Sequence, residues 1–172
     1  MSFDIHLIPS SASPDGPGAR EATDAALALC RARRAHPDQD LVLCTGEEVE
    51  FYGDSDEPGG MFALRGAISP ELAQVIFEIA DATACFVVPV DDGCAFLRTP
   101  GNAGEPPTDD GEADDETEAW EVVAIADPTE LAQRLTGGFT AWSDYRDHLF
   151  EQPSPEPDSL LGRFWSRLTK RP

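Results

Sequence analysis

A chain of 172 residues, 41% hydrophobic, with 33 acidic against 12 basic residues, has the length of one domain and a formal net charge of −21. Charge of that sign repels nucleic acid and anionic lipid, excluding both as partners of the body of the chain, and attracts cationic proteins. The charge is also uneven: every acid lies at or before Asp158, giving −25 with the eight Arg found there, whereas residues 159–172 carry four basic residues and no acid.

In chain order, Phe3, Ile5 and Leu7 alternate with Asp4 and His6, the period-two pattern of a strand with one face on a core. The start, Met1-Ser2-Phe3-Asp4-Ile5-His6-Leu7, has no basic lead and too short an apolar run for an export signal, and no stretch approaches a membrane span. The expectation is a cytoplasmic protein without stable membrane association. Ser10 to Gly18 collects loop residues, and Ala22, Ala25, Ala26, Leu29 and Cys30 then recur at helical spacing, predicting a helix to about Ala35 with Arg31, Arg33 and Arg34 in its last turn.

Leu41 to Cys44, Val49 to Tyr52 and Met61 to Ile68 read as three short strands of a meander. Ser69 before Pro70 predicts a capped helix start, with Leu72, Val75, Ile76, Ile79 and Ala80 as its buried stripe. Cys85 to Val90 and Cys94 to Leu97, joined by Asp91-Asp92-Gly93, read as a hairpin. Thr99 to Ala119 is Pro, Gly and acid with no Val, Ile, Leu or aromatic residue, the composition of a mobile loop.

A strand from Trp120 to Ala126 follows, then a capping-box-like start at Asp127-Pro128-Thr129-Glu130 for a helix holding Leu131 and Leu135. Gly137-Gly138 is expected to break it, leaving a second helix with Phe139, Trp142, Tyr145 and Leu149. Residues 1–150 thus form one globular domain, 151–158 a stiff Pro-rich linker and 159–172 a basic tail. The predicted class is α+β: an antiparallel sheet with helices on one face, compatible with a ferredoxin-like sandwich extended by a C-terminal strand and helical pair.

Chemistry-bearing patterns are few. Asp54-Ser55-Asp56 is spaced like the start of a calcium loop, but Pro58 stands at the third ligand and Arg65 where the closing Glu belongs, so no metal site is expected. Cys30, Cys44, Cys85 and Cys94 lack Cys-x-x-Cys spacing and a neighbouring His, and read as buried reduced thiols. His6, His36 and His148 lie beside no evident nucleophile. With no nucleophile elbow, phosphate loop or dinucleotide fingerprint, the reading is non-enzymatic, with no catalytic residue and no cofactor.

What stands out is acid. Glu47, Glu48, Glu50, Asp54, Asp56 and Glu57 surround the predicted turns, and Asp109, Asp110, Glu112, Asp114, Asp115, Glu116 and Glu118 crowd the long loop. Such runs are commonly solvated surface; as a functional feature they attract a basic protein and speed its association. In the tail, Leu160, Leu161, Phe164, Trp165 and Leu168 share a helical arc beside Arg163, Arg167 and Lys170, the pattern of a docking helix. Haloadapted proteins also combine acid with scarce Lys, and this chain has one.

The small size, the start Met1-Ser2-Phe3-Asp4-Ile5, the excess acid and the lack of catalytic motifs resemble bacterial immunity proteins that neutralise toxins from neighbouring cells. The resemblance is one of general character and carries over no residue assignments. It implies a tight, charge-steered complex occluding a basic cleft, typically that of a nuclease, with Tyr52, Trp120 or Tyr145 as anchors. The alternatives are a small enzyme or ligand-binding domain with a site assembled from distant residues, and an adaptor acting through its C-terminal tail.

Overall fold

Alternation in the opening segment becomes the centre of the molecule. In a computed structural model, which describes residues 2–36, 39–53, 57–90, 95–107 and 121–151, β1 (Phe3–Pro9) turns Phe3, Ile5 and Leu7 to a face where each is at most 2% exposed. In order follow α1 (Pro17–Leu29), β2 (Arg33–His36), β3 (Gln39–Val42), β4 (Glu48–Tyr52), β5 (Gly60–Leu64), α2 (Pro70–Ala82), β6 (Cys85–Pro89), β7 (Phe96–Arg98), β8 (Val122–Ala124) and α3 (Pro128–Glu151). The chain divides into two compact units, Met1–Thr140 and Ala141–Pro172. The eight strands found among the described residues all belong to the first.

The strands form one sheet in the order β2-β3-β4-β5-β1-β6-β7-β8, antiparallel except for the last pair. Within it, β6-β1-β5-β4 with helices after β1 and β5 reproduces the βαββαβ arrangement of a ferredoxin-like sandwich, widened by β2 and β3 on one side and β7 and β8 on the other. The fold is α+β. The parallel β7–β8 pair departs from the expected all-antiparallel sheet. The connection between these strands is long enough to carry the chain back to its starting end, which a hairpin turn cannot do.

Helices cover the face of Phe3, Ile5 and Leu7. α1 and α2 pack on one another, and α2 sends Leu72, Val75, Ile76 and Ile79 inward. On the sheet side they meet Phe62, which neighbours Ile5 across the ladder and lies 4.7 Å, ring to ring, from Phe51. Leu131 and Leu135 of α3 are fully buried, and Phe139 meets Phe3 edge-on at 5.7 Å. Burial of each such large apolar side chain contributes about 1.5–3 kcal/mol. On the other sheet face Phe86, Val88 and Phe96 form a smaller cluster with Ile8, and the Arg98 guanidinium lies 5.5 Å over the Phe86 ring.

Helix ends explain several departures from the sequence expectations. α1 stops at Leu29, not near Ala35, because Arg31 takes a left-handed conformation at φ 55°. Its N–H donates to Ala28 O, and that of Ala32 to Leu27 O, the paired bonds of a Schellman motif. Arg33 and Arg34 then enter β2 instead of closing a helix. α2 begins as expected, with Leu72 N donating to Ser69 Oγ at 3.2 Å.

α3 starts where Asp127 Oδ1 accepts from the N–H groups of Thr129 and Glu130, while Glu130 Oε2 accepts from Ala126 N. It then runs 24 residues through Gly137 and Gly138 as one helix, correcting the expected helical pair. Leu131, Leu135 and Phe139 anchor one stripe across that point, outweighing the roughly 1 kcal/mol that each Gly costs.

The segment read as a mobile loop from Thr99 to Ala119 is tied to the body over its first third. Thr99 and Asn102 are buried, with Asn102 N donating to Thr99 O across the turn at Pro100. Gly104 N donates to Asn102 Oδ1, and Arg98 Nη2 to Gly104 O. Ser11 and Glu105 exchange two bonds, Ser11 N to Glu105 O at 3.1 Å and Glu105 N to Ser11 Oγ at 2.9 Å. Of the linker expected at 151–158, Glu151 is the last residue of α3, and residues 152–158 and the tail lie outside the described residues. Among the described residues, no helix is long and apolar enough to cross a membrane.

Candidate functional site

β4 carries the part of the acidic surface that the structure positions. Val49 and Phe51 point into the core, so Glu48, Glu50 and Tyr52 emerge together on the opposite face. The ladder extends this file. Glu50 neighbours Ala63 of β5, which neighbours Asp4 of β1; Tyr52 neighbours Met61, which neighbours His6. Two adjacent rows therefore cross three strands, with half-buried Asp4 and His6 at one end and half-exposed Tyr52 at the other.

These groups interact along the file. Arg65 Nη2 lies 3.0 Å from Glu50 Oε1, and the Tyr52 hydroxyl donates to Glu50 Oε2 at 3.4 Å. The Tyr52 phenol is held above its usual pKa, first by the negative charge of Glu50. Glu47, at the turn before β4, accepts from Ser69 Oγ at 3.2 Å and so places its carboxylate at the N-terminus of α2. Glu47, Glu48 and Glu50 line a hollow of about 200 Å³ with Ala63, Arg65 and Ala67.

Of the residues singled out from sequence, the structure brings Glu47, Glu48 and Glu50 together and leaves Glu57 exposed in the connection at the other end of the β4–β5 hairpin. Asp54 and Asp56 lie outside the described residues, as do Asp109, Asp110, Glu112, Asp114, Asp115, Glu116 and Glu118 and the tail positions Leu161, Arg163, Phe164, Trp165, Arg167 and Leu168. Asp4, His6 and Arg65 were not in the predicted set. Alternation places His6 on the polar side of β1, but only strand order puts it in one row with Tyr52 of β4, across Met61 of β5.

The cysteines divide by environment. Cys85 is buried and its thiol pushed up by burial, against weaker opposing contacts to Thr83 O and Ser13 Oγ. Cys30 is half-buried, and burial followed by the charge of Glu78 and the neighbouring Cys44 pushes its thiol up to about 11. Both stay protonated near neutral pH and are poor nucleophiles. Cys44 is exposed, correcting the expectation that it would be buried, because β3 ends at Val42 and the chain has already turned outward. All three described cysteines are free thiols. Among the described residues, no group of three His, Cys, Asp or Glu side chains is placed to hold a metal ion.

Comparison with protein-family models, curated proteins and solved structures finds no match. The chemistry of the site therefore has to be read from its own groups. Carboxylates in file with a half-exposed phenol attract and orient cations, and Tyr52 adds an apolar ring with a polar tip.

Proposed function

We propose that this is a non-enzymatic acidic binding protein for a basic protein partner, most concretely an immunity protein that neutralises a toxin such as a nuclease in the cytoplasm. One observation carries the reading: Glu48 and Glu50 stand on one sheet face in line with half-exposed Tyr52, in a chain of net charge −21. Net charge of that size speeds encounter with a cationic surface, and a tyrosine set among acids is a common anchoring group once contact is made.

Arg65 pairs with Glu50 from within the chain and offsets part of the attraction there, so a cationic partner is drawn by the net charge of the whole chain and competes with Arg65 at the file. The test is retention of partners on the full chain at low salt. A basic polypeptide recovered at stoichiometric level, released by salt and stripped of its own activity while bound, supports the reading. A chain that retains no basic polypeptide at any salt concentration contradicts it.

A further inference from the structure

Two of the free thiols, Cys30 and Cys44, meet at one end of one strand pair. Cys30 caps the C-terminus of α1, its N–H bonded to Ala26 O at 3.1 Å, and the chain enters β2 three residues later at Arg33. Arg33 pairs with Val42 of β3, and Cys44 lies two residues beyond Val42 at that same end. Carried two steps further, the register sets Cys44 opposite Arg31, the residue next to Cys30. A disulfide spans Cα atoms about 4.4–6.8 Å apart, close to the separation of residues across a strand pair. The electrostatics agree with this placement, since Cys44 and Glu78 both act on the Cys30 thiol. Access differs between the two: Cys44 is exposed at the β3–β4 turn, and Cys30 is half-buried.

We propose that Cys44 and Cys30 form a thiol–disulfide exchange site, which takes a small uncharged disulfide at Cys44 and closes to a Cys30–Cys44 bond. In the first step the Cys44 thiol loses its proton, its sulfur attacks one sulfur of the small disulfide, and the other sulfur leaves as a thiol carrying that proton. In the second step Cys30 gives up its proton and attacks the Cys44 sulfur, releasing the remaining small thiol. The two cysteines are oxidised and one disulfide is reduced to two thiols, so electrons and protons balance. The exposed thiol reacts first because the half-buried one stays protonated near neutral pH. Proximity then lets Cys30 complete the exchange within the same chain. Glu47 and Glu48 follow Cys44 closely in a chain of net charge −21, which disfavours an anionic disulfide. The closed bond ties the end of α1 to the turn that carries Glu47.

The test treats the reduced full chain with bis(2-hydroxyethyl) disulfide and follows it by mass spectrometry after tryptic digestion without reductant. The expected product joins the peptide of residues 21–31, which holds Cys30, to that of residues 35–65, which holds Cys44. Cys30→Ser is expected to stop at a hydroxyethyl adduct on Cys44. Cys44→Ser, at an exposed position, is expected to keep its thermal transition and to react at Cys30 at least about tenfold more slowly than the unaltered chain reacts at Cys44. An unreactive Cys44, a Cys44 adduct that persists in the unaltered chain, or a cross-link from Cys44 to Cys85, to Cys94 or to a second chain overturns the assignment. So does a Cys44→Ser variant that reacts at Cys30 as fast as the unaltered chain reacts at Cys44. The inference does not depend on the β4 reading, whose failure shows as partner capture unaffected by changes at Glu48, Glu50 and Tyr52.

Discussion

Tyr52 donates its phenolic hydrogen to Glu50, its neighbour two residues back on the same face of β4, while Arg65 holds the other oxygen of that carboxylate. One acid is thereby shared between a cation and a phenol. The charge of Glu50 keeps Tyr52 protonated to higher pH than an ordinary tyrosine. Glu50→Gln removes that charge, so the Tyr52 titration, followed by ultraviolet absorbance, is expected to move down in pH. The sign for stability follows: a group whose pKa is raised on folding contributes fully below its unfolded value, and the contribution is lost as pH rises through the folded one. An unmoved titration in the variant contradicts the contact.

α3 passes through Gly137 as continuous helix, and a Cβ built there meets nothing within 4 Å. Gly137→Ala is therefore expected to stabilise the protein by about 0.5–1 kcal/mol, read as a higher midpoint in thermal or urea unfolding. Destabilisation contradicts a continuous helix at this point.

The end of α1 sets a non-glycine residue at a position that favours glycine. Arg31 is exposed and left-handed at φ 55°, and Arg31→Gly is expected to add about 1 kcal/mol of stability by relieving its Cβ. A lower unfolding midpoint in Arg31→Gly shows that the Arg31 side chain contributes more than the conformation costs.

Haloadaptation and partner binding separate by salt. With a core in which Phe3, Ile5, Phe62, Leu72 and Leu131 are fully buried, the fold is expected to persist in dilute buffer at about 10 mM salt, where charge repulsion is least screened. Circular dichroism showing loss of structure on dilution assigns the acid to salt adaptation instead.

Local periodicity made most of the fold legible. Phe3, Ile5 and Leu7 reported the buried face of β1, and Ser69-Pro70 with Leu72, Val75, Ile76 and Ile79 reported α2 with its cap. Sequence expectation and structure part where residue preference is overridden, by local backbone hydrogen bonds at the end of α1 and by packing along α3. Arg31 ended a helix without the usual glycine, and Gly137-Gly138 continued one because Leu131, Leu135 and Phe139 were already anchored. For the site, acid density pointed to Glu47, Glu48 and Glu50. It missed Asp4, His6 and Arg65, which reach the same surface only through the pairing of β1, β5 and β4. A groove lined by Pro70 and Gln74 of α2 and by Pro128 and Ala132 of α3 joins residues some sixty positions apart and leaves no local signal.

The most direct test of the central claim is the association rate of the captured basic partner with the full chain and with the Glu48→Gln, Glu50→Gln, Tyr52→Ala triple variant, at matched low salt. The account predicts association at least about tenfold slower and complex lifetime shorter in the variant, with thermal stability retained. Identical rates and lifetimes for the two proteins would contradict it.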